Sequence, residues 1–483
     1  MDIPVEYILL VGSALLFVSI LAGKTGYRFG VPTLLLFLFV GMFFGSDGLG
    51  IQFHDMHAAQ FVGTIALSVI LFTGGMDTRF RDIRPVLGPG VMLSTVGVLL
   101  TTLFTGLFIW WLSGMSWTNI PFALIPSLLL AATMSSTDSA SVFSILRSQK
   151  INLKHNLRPM LELESGSNDP MAYMLTVVLI QFVQAAGMGW GEIAISFCVQ
   201  FLVGGLAGYL LGQLAIVAMN KLNIDNQAMY PILLLAVLFF TFSVTSLLKG
   251  NGYLAVYLAG MMVGNRKIPF RREINTVMDG LTWLSQIVMF LCLGLLVNPH
   301  EMLEVAAVAL LIGVFMILVG RPLSVCISLL PFGKSIKPKS RLFISWVGLR
   351  GAAPILFATY PVVAEVPGAQ SIFNIVFFIT ILSLILQGTT ITLMSSLLGL
   401  SAPLPKTGND FGVEIPEEIG SDLHETVVSE TMAQVSPTLK DMNLPKGTLV
   451  IIVKRGEKFL IPNGSLRLHV GDKLLLISEK GKK

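Results

Sequence analysis

Two glutamates, an asparagine and an aspartate interrupt an apolar stretch in the first half of the chain. Residues 162–175 read ELESGSNDPMAYML, and the run TVVLIQFV follows directly. In a helix, Ser165 and Asp169 are four residues apart and share one face, as do Glu164 and Asn168. Their oxygen and amide groups suit a proton or an alkali cation, whereas zinc or copper would require His or Cys ligands. The segment therefore predicts a site for a small cation or a proton.

The composition of the chain predicts a polytopic membrane protein. Of the 483 residues, 54% are hydrophobic and 12% are charged, and the mean hydropathy is +0.78. A soluble domain carries about twice this charged fraction. The net charge of +4 gives no indication of a nucleic-acid partner. The acidic start, MDIPVE, is not typical of a secretory signal, and the three cysteines lack the spacing of a metal site or a disulfide.

Apolar runs of roughly 20 residues, long enough to cross a bilayer, recur along the first 400 residues. About thirteen spans are predicted on this basis. They lie at residues 7–23, 31–46, 58–75, 86–113, 121–147, 159–185, 191–221, 228–249, 251–265, 276–298, 302–331, 341–364 and 371–398. Basic residues such as Arg79, Arg147 and Arg272 fall in the loops on one side, and the opposite loops carry only Lys249. By the positive-inside rule, the N-terminus is outside and the C-terminus is cytoplasmic.

The depth of Asp169 follows from this arrangement of spans. The sixth span enters from the cytoplasm at Arg158-Pro159, and a helix rises about 1.5 Å per residue. Asp169 then lies about 16 Å into a hydrocarbon core about 30 Å thick, whereas Glu162 is interfacial. Charges at such depth are costly and typically mark transport pathways. We therefore expect Asp169, rather than Glu162, to bind the ion.

Two of the spans contain residues that interrupt a helix. The fifth includes LAATMSSTDSASVFSIL, with Asp138 in a run of Ser and Thr, and the twelfth includes SWVGLRGAAPILF, where Gly348 and Gly351 flank Arg350. Interrupted helices at corresponding positions of two halves indicate a transport site. If spans 1–6 and 8–13 form an inverted repeat, these two spans correspond and the seventh is a connector. Arg321, in the eleventh span, can offset carbonyl dipoles or pair with a carboxylate.

The character of the chain changes after residue 400. Residues 1–400 are predicted to form a transmembrane domain, 401–411 a linker and 412–483 a small cytosolic α/β domain. In the last part, no G-x-G-x-x-G sequence appears, which argues against NAD binding.

Strand and helix patterns can be placed within this last domain. The stretch GTLVIIVKRGEKFLIP predicts two strands joined at Arg455-Gly456-Glu457. A similar pair is predicted for SLRLHVGDKLLLIS, around Gly471-Asp472. Ser436-Pro437 predicts the start of a helix over TLKDMNL.

Four short motifs resemble those of the NhaP-type cation/proton antiporters, which belong to the monovalent cation:proton antiporter superfamily. They are TD at 137–138, ESGSNDP at 164–170, GRP at 320–322 and GLRGAAP at 348–354. The resemblance covers about residues 1–400, with the motifs in the expected order on the expected spans. The remaining tail resembles the C-terminal subdomain of the RCK (TrkA-C) regulatory modules.

The resemblance implies an all-α, NhaA-like membrane fold with inverted repeats, a homodimer, and an elevator-like movement of a six-helix core. It also implies exchange of a monovalent cation, with K⁺ favoured, for H⁺ across the cell (inner) membrane, and no cofactor is expected. The Asn of the ND pair, where electrogenic relatives have a second Asp, implies electroneutral exchange. The implied residues are Asp169, Asn168, Ser165, Glu164 and Thr137 for cation and proton binding, with the alkali cation at Asp169, Ser165 and Thr137, and Asp138, Arg321 and Arg350 for support of the interrupted helices.

Other functions remain open as alternatives. A Na⁺(Li⁺)/H⁺ antiporter would use the same site and the same mechanism. A tail-gated K⁺ channel would require a carbonyl filter such as TVGYG, which the sequence lacks. A membrane enzyme is disfavoured because the sequence has no H-E-x-x-H, G-x-S-x-G or Walker A motif. The tail is expected to respond to a small-molecule regulator, with a cyclic dinucleotide as one candidate, but no residues identify it.

Overall fold

Helices dominate the first 400 residues of the chain, and a small sheet forms most of the remainder. The computed structural model describes residues 5–29, 32–51, 53, 55–116, 118, 122–184, 189–333, 335–403, 421–442, 444–445 and 447–479. The chain divides into two units, Met1–Pro403 and Leu404–Lys483. Eight helices of the described residues are long and apolar enough to cross a membrane, and shorter apolar helices accompany them. The predicted class, a helical polytopic membrane protein with a small C-terminal domain, is confirmed.

The helices of the first unit follow the order of the predicted spans. They are α1 (Val5–Phe29), α2 (Thr33–Phe44), α3 (Met56–Asp77), α4 (Phe80–Ser113), α5a (Leu124–Thr133), α5b (Ser139–Ser148), α6 (Leu157–Gln184), α7 (Trp190–Lys221), α8 (Met229–Leu247), α9 (Gly252–Gly264), α10 (Arg271–Leu296), α11 (Pro299–Ser328), α12a (Pro338–Trp346), α12b (Ala352–Val363) and α13 (Ala369–Leu397). The fifth and twelfth spans are each split into two half-helices, as their sequences predict. The local cause is a run of Ser and Thr in one and glycines in the other.

A twofold internal correspondence relates the two halves of this unit. A π-helical turn interrupts α4 at Leu93–Gly97, and another interrupts α11 at Met316–Gly320. These helices are seven positions apart in the order of spans, as are the two split helices. Packing follows the same offset, because α2 contacts α10 whereas α9 contacts α3. The matched positions support the predicted inverted repeat with α7 as its connector.

Packing divides the helices into two bundles. The first bundle contains α1–α3 and α7–α10, and the second bundle contains α4–α6 and α11–α13. Glycines allow close approach within the first bundle: a Cβ at Gly260 of α9 would lie 2.2 Å from the Phe72 carbonyl oxygen of α3. A Cβ at Gly208 of α7 would lie 2.6 Å from the Ala255 carbonyl oxygen of α9. Gly208 of α7 and Gly260 of α9 therefore serve close helix packing.

A short ribbon ties the end of α13 to the loop between α5b and α6. Strand β1 (Ile151–Leu153) pairs antiparallel with β2 (Ser401–Pro403). Lys154 extends this contact, because its backbone N–H donates to the Leu400 carbonyl at 3.0 Å and its Nζ donates to the Gly399 carbonyl at 3.1 Å. Of the predicted linker, residues 401–403 thus form a strand. Residues 404–411, and 412–420 of the predicted cytosolic domain, lie outside the described residues.

The second unit is built around a four-stranded antiparallel sheet. Its elements are β3 (Ser421–Val427), α14 (Glu430–Val435), β4 (Thr448–Arg455), β5 (Lys458–Leu460) and β6 (Lys473–Glu479), with the strands in the order β3-β6-β4-β5. Alternating apolar residues of the strands, such as Val453 and Leu474, form its buried core with Val428. The predicted hairpin at Arg455-Gly456-Glu457 is confirmed as the β4–β5 connection.

Two predictions for this unit are wrong. Residues before Gly471 do not form a strand with β6, which pairs instead with β3 and β4. The predicted helix after Ser436-Pro437 is reduced to a 3₁₀ turn at Leu439–Asp441. The cause is the same in both cases, because the two segments bond to each other. The Leu439 amide donates to the Leu466 carbonyl at 3.1 Å, and the Leu468 amide donates to the Pro437 carbonyl at 3.0 Å.

A buried carboxylate, Asp472, fixes the turn that precedes β6. It accepts hydrogen bonds from Arg455 Nε at 2.9 Å, Arg455 Nη2 at 2.8 Å and the His469 amide at 2.8 Å. Burial alone would raise the pKa of Asp472, but the bonds from Arg455 and His469 hold that pKa below its ordinary value. Since the pKa is lower in the folded state, the carboxylate stabilises the fold at neutral pH. This contribution is lost as the pH falls through the folded-state pKa.

Replacing Asp472 by Asn should destabilise the second unit at pH 7 by about 1–3 kcal/mol, because Arg455 loses a charged acceptor. Amide hydrogen exchange of β4 and β6 in the full chain measures this change. Asp441→Asn is the matched control, since that exposed carboxylate accepts from the Thr438 hydroxyl at 2.5 Å. Equal acceleration of exchange in both variants, or a difference that persists well below about pH 4, would contradict the assignment.

Candidate ion-binding site

A cavity of about 540 Å³ lies between the two bundles and reaches Asp169. Its walls come from α3 and α10 of the first bundle and from α5b, α6 and α12b of the second. Four residues predicted from the sequence line it, namely Thr137, Asp138, Ser165 and Asp169. The lining continues to Arg147 at the end of α5b. The cavity therefore extends from Asp169 toward the end of the unit that carries the basic loops.

The interruptions of the fifth and twelfth spans meet at the inner end of this cavity. The Asp138 amide donates to the Leu349 carbonyl at 2.8 Å, which joins the two breaks directly. The Asp138 carboxylate caps α5b by accepting from the Ser141 amide at 3.1 Å and the Ser141 hydroxyl at 2.5 Å. A negative group at a helix N-terminus is favourable because the helix dipole is positive there. A Cβ at Gly351 would lie 2.5 Å from Asp138 Oδ2, so glycine is required for this approach.

Helix α6 is fastened to the break in the fifth span by two side chains. The Ser165 hydroxyl donates to the Thr137 carbonyl at 2.7 Å and accepts from the Ser139 amide at 3.0 Å. Asn168 Nδ2 donates to Thr137 Oγ1 at 2.6 Å. Because Asp169 is the next residue of α6, these bonds fix where its carboxylate enters the cavity.

Arg350 stabilises the same break from the twelfth span. Its side chain is buried, and its guanidinium donates to the carbonyls of Ser135, at 3.0 Å, and Ser136. Its backbone amide donates to the Ser383 hydroxyl of α13 at 3.0 Å. The carbonyls of Ser135 and Ser136 follow the C-terminal end of α5a, where a positive charge is favourable. The supporting role predicted for Arg350 is consistent with these contacts.

Arg321 pairs with Glu164, and both side chains are almost fully buried, with 2% and 1% exposed. Neither residue lines the cavity. A Cβ at Gly348 would lie 2.9 Å from Arg321 Nε, so the guanidinium also lies against the backbone that follows α12a. Of the two roles expected for Arg321, the described contacts correspond to pairing with a carboxylate.

Two of the residues predicted to bind the cation or proton, Glu164 and Asn168, do not line the cavity. Glu164 is not available to a cation, because its carboxylate bonds to Arg321 outside the cavity. Asn168 is fully buried behind the cavity wall, and its amide supports Thr137. Among the site residues predicted from the sequence, Asp169, Ser165, Thr137 and Asp138 line the cavity. Carboxylate, hydroxyl and carbonyl oxygens at one point fit an alkali cation, and the carboxylate of Asp169 fits a proton equally well.

Sequence reasoning missed several polar residues of the first bundle that line the cavity. Asp77 ends α3, and Asp279, Thr282 and Gln286 follow one face of α10 at helical spacing. Glu162, predicted to be interfacial, also lines the cavity and pairs with Arg158 at 2.9 Å. The positive-inside rule counts only Lys and Arg, so acids near the basic loops carried no signal. The helical spacing of the polar residues in α10 is the pattern that could have found them.

Glu164→Gln should destabilise the membrane unit by about 3–5 kcal/mol, because it leaves the buried Arg321 charge uncompensated. Glu162→Gln is the matched control on the same helix, since the Arg158–Glu162 pair is partly exposed and such pairs contribute about 0–1 kcal/mol. Thermal unfolding of the purified protein in detergent compares the two variants. A similar decrease of the melting temperature in both variants would show that the buried pair contributes no more to stability than the partly exposed pair.

The chain resembles known protein families along most of its length. The profile of the transmembrane sodium/hydrogen exchanger family matches residues 13–396, and that of the TrkA-C domain matches residues 426–481. The sodium proton antiporter MjNhaP1 of Methanocaldococcus jannaschii has a similar fold, with a TM-score of 0.68 at 22% identity over 82% of this chain and 100% of that one.

Sequence relatives give the same assignment. The K⁺/H⁺ antiporter NhaP2 of Shewanella oneidensis is 40% identical over 98% of this chain and 81% of its own length. The Na⁺/H⁺ antiporter ApNhaP of Aphanothece halophytica is 26% identical over 82% of this chain and 75% of its own length. Since the family profile covers most of the chain and a close relative aligns along nearly all of it, the chain belongs to the sodium/hydrogen exchanger family of membrane antiporters.

Proposed function

We propose that the protein exchanges a monovalent cation, K⁺ in preference, for a proton, and that the two compete for Asp169. The observation that carries this proposal is the position of that carboxylate. It lies where the cavity meets the crossing of the two interrupted helices, beside the oxygens of Ser165 and Thr137. Among the described residues it forms no ion pair, so its charge is free to be neutralised by an incoming ion.

The charges predicted at membrane depth balance only when Asp169 is loaded. Arg321 and Arg350 supply two positive charges, and Glu164 and Asp138 supply two negative ones. A proton or a monovalent cation on Asp169 keeps the sum at zero, whereas the empty carboxylate leaves one uncompensated negative charge. Moving a net charge through a medium of low dielectric is costly. The bundle with an unoccupied Asp169 carboxylate therefore does not move across the membrane in the same way as the loaded one, because its net charge makes the movement costly. Exchange is then one for one and electroneutral.

Potassium is favoured over sodium because of the relatives. A protein named as a K⁺/H⁺ antiporter is 40% identical, and one named as a Na⁺/H⁺ antiporter is 26% identical. The donor set of carboxylate, hydroxyl and carbonyl oxygens accommodates either ion. Na⁺(Li⁺)/H⁺ exchange by the same mechanism is the alternative. A tail-gated channel and an enzyme are not supported, since the family is one of transporters.

The orientation and the movement follow from the two bundles. We place the N-terminus outside and the C-terminus in the cytoplasm of the cell membrane, because the basic loops lie at the end where the cavity opens. The second bundle holds the interrupted helices and the balanced charges, so it moves as a body against the first. The first bundle is the surface through which two copies form a homodimer.

The C-terminal unit is proposed to regulate this movement. It matches the TrkA-C domain, and the chain enters it through β2, which pairs with β1 between α5b and α6. A small-molecule ligand of this unit would thus act on the segment that joins the Asp138 and Asp169 helices. No cofactor is needed for the exchange itself.

Asp169→Asn should abolish exchange, because an amide can neither release a proton nor neutralise a cation. The measurement is cation-driven proton movement by purified protein in liposomes, with K⁺, Na⁺ and Li⁺ at several pH values. Glu162→Gln, which also removes a carboxylate that lines the cavity, should change the rate by no more than about threefold, because that acid is partly exposed. Proton movement that persists in folded Asp169→Asn protein would refute the site.

Deletion of residues 404–483 should preserve exchange while altering its dependence on pH or on an added regulator. The rate against pH in liposomes, for the full and the shortened chain, measures this effect. Asp472→Asn, which weakens the second unit without removing it, should shift the profile in the same direction. A shortened chain that inserts and folds but transports nothing would exclude a purely regulatory role.

A further inference from the structure

Four hydroxyl groups meet between the bundles at a place that the transport mechanism above does not use. They belong to Thr64 of α3, Tyr253 of α9, Tyr173 of α6 and Tyr360 of α12b. The Tyr253 hydroxyl lies 3.3 Å from that of Tyr360 and 3.3 Å from that of Thr64, and the last two are 3.4 Å apart. The Tyr173 ring packs edge-on at 4.9 Å from the Tyr253 ring and 5.3 Å from the Tyr360 ring. We call these four residues the tyrosine cluster.

The tyrosine cluster lies on the far side of Asp169 from the cavity. Tyr173 follows Asp169 by one helical turn, on the same face of α6 and about 6 Å farther from the end where Arg158 lies. The cavity lining includes Asp169 but none of the four residues of the cluster. Phe357 and Phe242 surround the rings, with centroids 6.3 Å and 5.1 Å from that of Tyr253. The cavity reaches Asp169 from one side, and the tyrosine cluster blocks the opposite side of the site.

Each bundle contributes two members of the cluster. Thr64 and Tyr253 belong to the first bundle, and Tyr173 and Tyr360 belong to the second. The hydroxyl contacts of Tyr360 with Tyr253 and with Thr64 therefore cross the surface along which the bundles would slide. Tyr253 is fully buried, so its hydroxyl has no water to replace these partners in this position.

We propose that the tyrosine cluster is the outer closure of the ion site and that its inter-bundle hydroxyl bonds hold the protein in the inward-open position. Its members are positioning residues, because they act on the equilibrium between the two positions of the second bundle and not on the ion. Moving that bundle outward separates Tyr360 from Thr64 and Tyr253 and admits water to their hydroxyls. This inference rests on the proposed exchange function. It adds that the tyrosine cluster determines whether the site is open to the cytoplasm or to the outside.

A Tyr→Phe change in the cluster removes a hydroxyl while the ring packing is kept. The apparent affinity on each side of the membrane depends on the fraction of protein open to that side. Loss of one or two hydroxyl bonds should raise the minor, outward-open fraction by about two- to tenfold. The apparent external KM should fall by that factor, whereas the cytoplasmic KM should rise by less than about twofold, since the inward-open state is already the major one.

The test uses the full chain in liposomes of known orientation, with K⁺ and Na⁺ as probes and KM measured from each side. Tyr360→Phe and Thr64→Val remove the same contact from opposite bundles, so both should lower the external KM. Tyr230→Phe is the control, because its buried hydroxyl donates to the Leu222 carbonyl at 2.9 Å within the first bundle alone. It should leave the ratio of the two KM values unchanged.

The outcomes separate this inference from the function on which it rests. Unchanged KM ratios in Tyr360→Phe and Thr64→Val, with a wild-type protein that exchanges ions, would overturn the role of the cluster only. The same would follow if Tyr230→Phe shifted the ratio as much as the other two variants. A wild-type protein that exchanges neither ion for protons would instead overturn the proposed function.

Discussion

The hydrogen bond between the Asp138 amide and the Leu349 carbonyl joins two helices at the points where each is broken, and the proposed ion site lies at that junction. A broken helix in an apolar bundle leaves backbone groups that must find partners, because no lipid group can serve them. Here the Asp138 carboxylate serves the amides at the start of α5b, and the Arg350 guanidinium serves the carbonyls of Ser135 and Ser136. Each charged side chain thus supplies the missing hydrogen-bond partners at the end of a half-helix, which explains why both charges are present in the interior.

The contacts also distinguish charges with a structural role from the charge of Asp169, which is proposed to be neutralised by the ion. Glu164 and Arg321 pair with each other, and neither lines the cavity. Ser165 and Asn168 spend their hydrogen bonds on Thr137 and Ser139, which fixes α6 against the break. Asp169 lines the cavity beside these positioned groups and, among the described residues, forms no ion pair. Such preorganisation would let a cation, bound as proposed, exchange its water for protein ligands without rearrangement of the backbone.

Much of this arrangement could be read from the sequence, for identifiable reasons. Helix breaks are local, so the Ser/Thr run before Asp138 and the glycines around Arg350 predict them directly. The depth of Asp169 needs only the helical rise and the basic loops. The partner of Arg321 could not be deduced, because Glu164 lies 157 residues away and the pairing depends on the packing of α6 against α11. The turn at Leu439–Asp441 was misread as a helix because its backbone bonds to residues near Leu466, a contact that no local pattern reveals.

If the C-terminal unit regulates exchange as proposed, the ribbon between β1 and β2 would give it a thermodynamic connection to the membrane gradient. The chain leaves α13 and pairs at once with the loop between α5b and α6, so its exit point belongs to the bundle that is proposed to carry the ion. Coupling free energies are reciprocal. If a ligand of the C-terminal unit biases the position of that bundle, then the occupancy of Asp169 must bias the affinity for the ligand by an equal factor. The ligand affinity of the C-terminal unit would then vary with the concentrations of the transported ions. The unit would therefore sense these concentrations as well as regulate transport.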